Sequence, residues 1–552
     1  MMSVQEYNAR LEALRTERSS FVSHWTDLGD YILPRYMRFT TSDRNRGDKK
    51  NTKIIDSTAT LSVRTLMSGM MGGITSPSRP WFELRTQDPD LNEFYPVKVW
   101  LDTVRNRLAE MFLASNIYTT LPNTYRDLGV FGTNAFAVLE DLEDGIRCYS
   151  FPIGSYFLAN SYRGNVDTCF REFQMSARQM VAMFGKDKCS RAVQSLASQS
   201  GGDTYVDVVH MVQPNDDYDE RKGEAKHKRF KSCYYEKGND SGEELRESGF
   251  DEFPIMASRW DLIGEDIYGT SPAMDALGDI KALQMEQKRK AQAIDKVVNP
   301  PMGAPSSLRK QAVSTLPGDI TYYDSTTGSN GLAPIYQVNP YLGELKEDMA
   351  EIQQRIRRCF FEDLFLMISQ DDRSNVTAQE IIARKEEKLL MLGPVLERLN
   401  DELLDPLIDR SFAIGMRNGM FPPPPPELQG QDLSVEYVSV MAQAMKLAGI
   451  QGIERLASFT GQLSGAYPEA LDAFNPDVAI DSMGRALAVP PKLLRDQTQR
   501  DQMRQARAQQ AQMQQNMAMA QAGAQTAQTL ADTNVTDPNA LTQMMQTLRG
   551  GM

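Results

Sequence analysis

Residues 374–428 read SNVTAQEIIARKEEKLLMLGPVLERLNDELLDPLIDRSFAIGMRNGMFPPPPPEL. Thr377 and Glu380 form T-x-x-E, in which the hydroxyl accepts from a first-turn N–H and the glutamate reaches back to the cap. Ile382, Leu389, Leu392, Leu396, Leu399, Leu403 and Leu407 then recur at steps of mostly three and four, one face of a helix. Gly393-Pro394 is expected to break that helix, because proline lacks an N–H and crowds the preceding turn. Gly415 and Gly419 are expected to end it, with Pro422 to Pro426 extended beyond. The leucines also suit a coiled-coil seam, but the break and the short span favour a core-facing helix. A rigid, one-faced helix before a stiff spacer suits a part of an assembly better than the wall of an active site.

Working outward, residues 4–33 predict a helix with Tyr7, Leu11, Leu14, Phe21, Trp25 and Leu28 on one face. A basic polar stretch follows, from Arg35 to Asn51. Helices are then expected over 56–73, 96–115 and 120–132. The pattern changes at 133–260, which reads as a mainly β unit with one inserted helix near 176–184. Its clearest signal is a hairpin over 134–142 and 146–151 about Glu143-Asp144-Gly145. Residues 215–250 read as an exposed loop or hairpin tip. Two long helices, 273–298 and 342–366, flank an insert of turns and short strands, and Asn299-Pro300-Pro301 ends the first sharply. The polar loop Ser369 to Asn375 leads into the capped helix of 374–428. After the prolines, 435–447, 453–463, 472–487 and 491–495 read as helical. The tail from Asp496 is rich in Gln, Ala and Met, and reads as a helix or a low-complexity tail to about 520, and as disordered after Gly523. The fold class expected is α+β, predominantly helical.

Composition excludes several functions. The 552 residues carry a formal net charge of −13, the opposite of a basic nucleic-acid footprint, yet compatible with a conduit that nucleic acid passes without sticking. Five cysteines, none in C-x-x-C, read as buried thiols in a reduced compartment. With three histidines and no H-E-x-x-H, neither a metal nor a cofactor is expected. Neither a signal peptide nor a run of about 18 apolar residues is evident, so no membrane association is expected. No G-x-x-x-x-G-K-[ST] loop, G-x-S-x-G elbow or Cys–His nucleophile pair occurs, and no catalytic residue is assigned.

Several segments resemble the head-to-tail connector (portal) proteins of short-tailed, T7-like bacteriophages. They include Val376-Thr377-Ala378-x-Glu380, Arg384-Lys385-Glu386-Glu387-Lys388, Leu392-Gly393-Pro394-Val395-Leu396-x-Arg398-Leu399 and Glu402-Leu403-Leu404-x-Pro406-Leu407-Ile408. Nearer the N-terminus, Tyr31-Ile32-Leu33-Pro34-Arg35 and Asp56-Ser57-Thr58-Ala59 belong to the same likeness. So does the stretch from Gly69 through Ser76-Pro77-Ser78-Arg79-Pro80-Trp81-Phe82-x-Leu84. The likeness covers roughly residues 5–430.

That resemblance implies a ring-forming subunit with a wing over 1–270, a stem helix over 271–298, a clip over 299–340 and a second stem helix over 341–367. A tunnel loop over 368–376, a kinked wing helix and proline linker over 377–430, a crown over 431–495 and a barrel helix or disordered tail over 496–552 complete it. It implies a homo-oligomer, a dodecamer, at one capsid vertex of the virion, assembled in the host cytoplasm. Double-stranded DNA would pass through the ring during packaging and ejection. Terminase, scaffolding and coat proteins, tail adaptor proteins and internal core proteins are the implied partners. Channel candidates are Lys281, Lys288, Arg289, Lys290, Gln370, Asp371, Asp372 and Arg373; clip docking candidates are Arg309, Lys310, Tyr322 and Tyr323. Two other readings compete. One is a non-enzymatic scaffold binding partners through its helical C-terminal half and Pro422 to Pro426. The other is a nuclease or hydrolase, which the missing motifs disfavour.

Overall fold

A computed structural model describes residues 3–37, 50–78, 80–198, 202–239, 244–303, 342–369, 392–428, 433–437, 440–465, 467–486 and 497–531, with a few shorter pieces between them. Contacts divide the chain into two units, one of residues 1–87 and 103–449, the other of residues 88–102 and 450–552.

In the first unit, α1 (Val4–Tyr31) opens on a capping box. Ser3 Oγ accepts from the Glu6 N–H and the Glu6 carboxylate accepts from the Ser3 N–H at 2.6 Å. Its predicted apolar face is the buried one: Tyr7, Leu11, Leu14, Trp25 and Leu28. Its N-terminal part, through Leu14, meets a five-stranded antiparallel sheet of β4 (Tyr156–Asn160), β5 (Val166–Ser176), β6 (Tyr205–Pro214), β7 (Phe230–Glu236) and β8 (Arg246–Phe250). Val209 and Met211 of β6 pack with α1. Val208, one residue out of phase, packs instead with α6 (Ala177–Phe184) and α7 (Arg191–Ser198). Alternation along one strand thus places helices on both faces. The β unit is therefore layered, and it contains two inserted helices where one was expected.

A second sheet has the order β3–β2–β9, from β2 (Thr133–Asp141), β3 (Gly145–Phe151) and β9 (Ile255–Arg259). The hairpin is as predicted: Asp141 faces Gly145, and the Asp141 carboxylate accepts from the N–H groups of Glu143 and Asp144. Of the two readings of residues 215–250, the hairpin is the one found, since β7 and β8 pair antiparallel within them. Around these sheets lie α2 (Thr58–Gly73), α5 (Ile117–Phe131), α8 (Pro272–Val298), α9 (Leu342–Cys359), α10 (Glu362–Ser369), α11 (392–399) and α12 (Asp405–Arg417), and after α8 a short β10 (Met302–Gly303) pairs with β11 (Ala333–Pro334).

Three expectations need correction. The second long helix is not continuous to 366. It breaks between α9 and α10 at Phe361, whose φ of 55° lies in the left-handed region. The expected break at Gly393-Pro394 acts on a turn that begins outside the described residues, but the helix described from 392 to 417 is not regular beyond it. It departs from α geometry later, in a π-helical turn at Asn400–Leu404. Pro406 accounts for that place: it has no N–H for the carbonyl four residues back, and its ring crowds the same carbonyl. Gly415 does not end the helix but lies within α12, where a Cβ would collide with the Phe421 ring; Gly419, at φ 64°, ends it. The T-x-x-E cap and the helix through residue 391 lie outside the described residues.

Beyond the prolines, Leu433–Tyr437 is not helical. As β12 it pairs antiparallel with β1 (Phe82–Thr86), Phe82 facing Tyr437. The proline run is tied down at both ends, by Phe421, buried and stacked on Phe412 at 5.6 Å, and by buried Leu428. Residues 440–464 form one helix, α13 (Val440–Ser464), instead of two.

The second unit holds α3 (Pro89–Glu93), the first turns of α4 (Tyr95–Ala114), the end of α13, α14 (Pro476–Ala486) and α15 (Gln497–Ala531). Arg500 and Arg504 of α15 pair with Asp481 and Asp477 of α14 at 2.9 and 2.7 Å. The tail is thus helical to Ala531, past the expected limit at Gly523, and its side chains over 501–523 are exposed.

Candidate functional site

Ser271 starts α8. Its Oγ accepts from the Met274 N–H and donates to the Val130 carbonyl at 2.7 Å, with Pro272 in the first turn. Ala273, Ala276, Leu277, Ile280 and Leu283 bury one face of it. α9 answers with Met349, Ile352 and Ile356, and Phe360 is buried just past its end. Arg355 meets Asp279 at 3.1 Å, and seven residues on along α8 and seven back along α9 Glu286 stands near Asp348. Residue numbers rise on one helix as they fall on the other, so the pair is antiparallel. Burial, then the negative charge of Asp348, raise the Glu286 carboxyl above its usual range. A raised carboxyl favours the protonated form, so this contact is most stable in acid and weakens as pH rises through the folded value.

One polar cluster joins this pair to the start of α2. Gln284 Oε1 accepts from the N–H groups of Ile55 and Asp56 at 2.6 and 2.8 Å, and its Nε2 donates to the Asp56 carbonyl at 2.8 Å. The Asp56 carboxylate accepts from the Thr58 N–H, from Gln287 of α8 at 3.0 Å and from Gln353 of α9 at 2.9 Å. Burial alone would raise this carboxyl, but the bonds from Thr58, Gln287 and Gln353 outweigh it and hold it below the usual range. Its contribution is present above the unfolded carboxylate value and is lost as pH falls through the folded one.

A second polar centre lies where β9 meets the π-helical turn. Arg259, 1% exposed, pairs with Glu402 at 2.6 Å. Its Nε also bonds that carboxylate, Nη1 reaches Asn160 and the Ile267 carbonyl, and Nη2 reaches the Gly164 carbonyl. The Arg259 N–H donates to the same carboxylate at 2.9 Å. The guanidinium has a partner at each nitrogen, which a buried charge requires.

Of the cations proposed from sequence, Lys288 and Arg289 are exposed on α8 and Lys290 is half-buried. Consecutive positions on a helix point about 100° apart, so the three do not share a face. Lys281 is turned back into the chain, 2.7 Å from Asp27 of α1 and over the Tyr31 ring. Arg309 is exposed. Gln370, Asp371, Asp372, Arg373, Lys310, Tyr322 and Tyr323 lie outside the described residues.

Residue chemistry for catalysis is thin. His210 bonds Ser232 at 3.0 Å and stacks on Tyr234 at 4.0 Å, but it is buried. Burial, with Arg171 and Arg246 nearby, lowers it to about 3, so it is no base at neutral pH. Cys148, Cys169, Cys189 and Cys233 are buried, and burial pushes Cys148 and Cys169 up to about 12. Among the described residues there is no group of three or more His, Cys, Asp or Glu that could hold a metal, and no helix is long and apolar enough to cross a membrane.

Residues 4–494 match the family described as bacteriophage head to tail connecting protein. The chain belongs to that family. This connector is 52% identical over 534 residues to the portal protein of Salmonella phage epsilon15, covering 97% of this chain and 96% of that one. It is 43% identical over 542 residues to the probable portal protein of Bordetella phage BPP-1, covering 98% of each. Among solved structures, it is similar to a chain in the virion of a native gene transfer agent particle, at 11% identity and a TM-score of 0.33 over 78% of the connector and 94% of that chain. Likeness that low carries no weight for function. The clamp residues around Asp56 were missed by sequence reasoning. The signal that could have found one of them is the Asp56-Ser57-Thr58-Ala59 motif, in which an acid two residues before a helix start is placed to bond its first N–H groups.

Proposed function

We propose that this connector is a portal protein: a closed ring, a dodecamer, at one capsid vertex. It serves as a passive channel for DNA entering and leaving the head and as a docking platform, with no catalysis of its own. The observation that carries this reading is likeness to a portal protein along nearly the whole of both chains. The layout supports it. In this reading the antiparallel pair α8–α9 is the stem, and the insert at 299–340 is the clip that meets terminase during packaging and tail adaptor proteins afterwards. The exposed Lys288 and Arg289, with the loop Gln370 to Arg373, face the channel, while the half-buried Lys290 points away from them; Lys281, held by Asp27, serves the ring's body instead. A formal net charge of −13 keeps DNA from sticking. Scaffolding and coat proteins surround the wing while the virion assembles in the host cytoplasm, and internal core proteins are further candidate partners. The short-tailed, T7-like class belongs to the same proposal. In this reading the α15 helices, exposed over 501–523, pack with one another as a barrel of copies.

The tunnel-loop assignment is tested by replacing Asp371, Asp372 and Arg373 together with alanine. Rings form as before, while packaging of the genome or its retention falls. Normal packaging and retention in that variant would remove the loop from the channel.

A further inference from the structure

The Asp56 motif has a job that neither the family likeness nor the channel reading assigns. We infer that Asp56 is the positioning residue of the paired helices, a single carboxylate that ties α2, α8 and α9 together at the point where α8 leaves the body of the unit.

Three observations meet there. The Asp56 carboxylate accepts from three elements at once: the Thr58 N–H of α2, Gln287 of α8 and Gln353 of α9. Gln284, only 5% exposed, closes the other side of the same residue through its own amide. Gln284 is also the last buried residue of α8. From Lys288 to Val298 the helix is exposed or half-buried, and Ile294, Val297 and Val298 are 42%, 50% and 77% exposed. The clamp therefore stands at the boundary between the anchored and projecting parts of α8.

Glutamine at 284, 287 and 353 suits this task better than an apolar residue. Packing alone lets two helices slide along their ridges, whereas hydrogen bonds to one fixed carboxylate set both rotation and register. α2 is itself anchored elsewhere, through Ser62 Oγ, which donates to Glu362 of α10 at 2.9 Å. Asp56 thus holds the pair against a fixed point. The clamp is independent of ring formation; its consequence, that it sets the angle at which the stem meets the channel, rests on the proposed function.

Hydrogen exchange on the purified full-length chain tests it. Gln353→Ala removes one link and leaves the α2 cap intact. Amide exchange over 345–353 is expected to accelerate about tenfold, the scale of one or two lost hydrogen bonds, with residues 58–66 unchanged. Gln354→Ala, at an exposed neighbour on the same helix, leaves exchange unaltered. Asp56→Asn alone loosens both helices. Asp56→Asn combined with Gln353→Glu restores protection to α9, because the new amide donates to the new carboxylate. Equal exchange in Gln353→Ala and Gln354→Ala, or no recovery in the exchanged pair, overturns the assignment. Neither result depends on packaging, so failure here is distinct from failure of the portal reading.

Discussion

Arg259→Met is expected to destabilise the first unit by about 3–5 kcal/mol, the penalty for leaving one charge of a buried pair without its partner. Glu402, 10% exposed, would keep a carboxylate that now takes three side-chain bonds from Arg259, and the carbonyls of Gly164 and Ile267 would lose their donor. Arg398, 3.6 Å away, is a poor substitute at 30% exposed. Removing both charges, Arg259→Met with Glu402→Leu, should recover much of the loss, because the pair's net worth is small against its desolvation. Thermal or denaturant unfolding of the two variants checks this. Equal losses in single and double variants would mean that the hydrogen bonds to Asn160, Gly164 and Ile267, and not the ion pair, hold this junction.

Trp25→Ala is the second large effect, at about 3–5 kcal/mol from lost burial and the cavity left behind. Trp25 is wholly buried, edge-on to Tyr268 at 5.2 Å and tilted against Phe21 at 5.7 Å. Its Nε1 donates to the Phe131 carbonyl at 3.1 Å. Tyr268 in turn accepts from the Leu158 N–H, so this one ring links α1, the end of α5 and the five-stranded sheet. Trp25→Phe keeps most of the packing and loses the hydrogen bond, so its cost should fall well below that of alanine. If unfolding midpoints for the two variants coincide, the bond to Phe131 and not the packed ring is the dominant contribution.

Trp25 also shows what could be read in advance. Its place on an apolar face with Tyr7, Leu11, Leu14 and Leu28 follows from helical spacing, and burial agrees. The 141–145 hairpin was legible because its turn chemistry is local. Features decided by distant partners were not. β12 reads as helix in the sequence because its strand partner, β1, lies about 350 residues earlier. The break at Phe361 carries no glycine or proline. Its ring lies 6.1 Å from that of Trp260, a contact no local pattern announces. Pro406 follows a π-helical turn that the leucine spacing does not announce. For the site, the cations on α8 could be counted from sequence, but not the ion pair that turns Lys281 toward Asp27. Nor could Asp56 be matched to glutamines about 230 and 300 residues away.

The ring is the central claim, and the mass and rotational symmetry of the purified assembly test it most directly. Native mass measurement together with negative-stain imaging should give a closed ring of twelve copies with a central opening. A monomer, a rod or an open filament would contradict the portal reading.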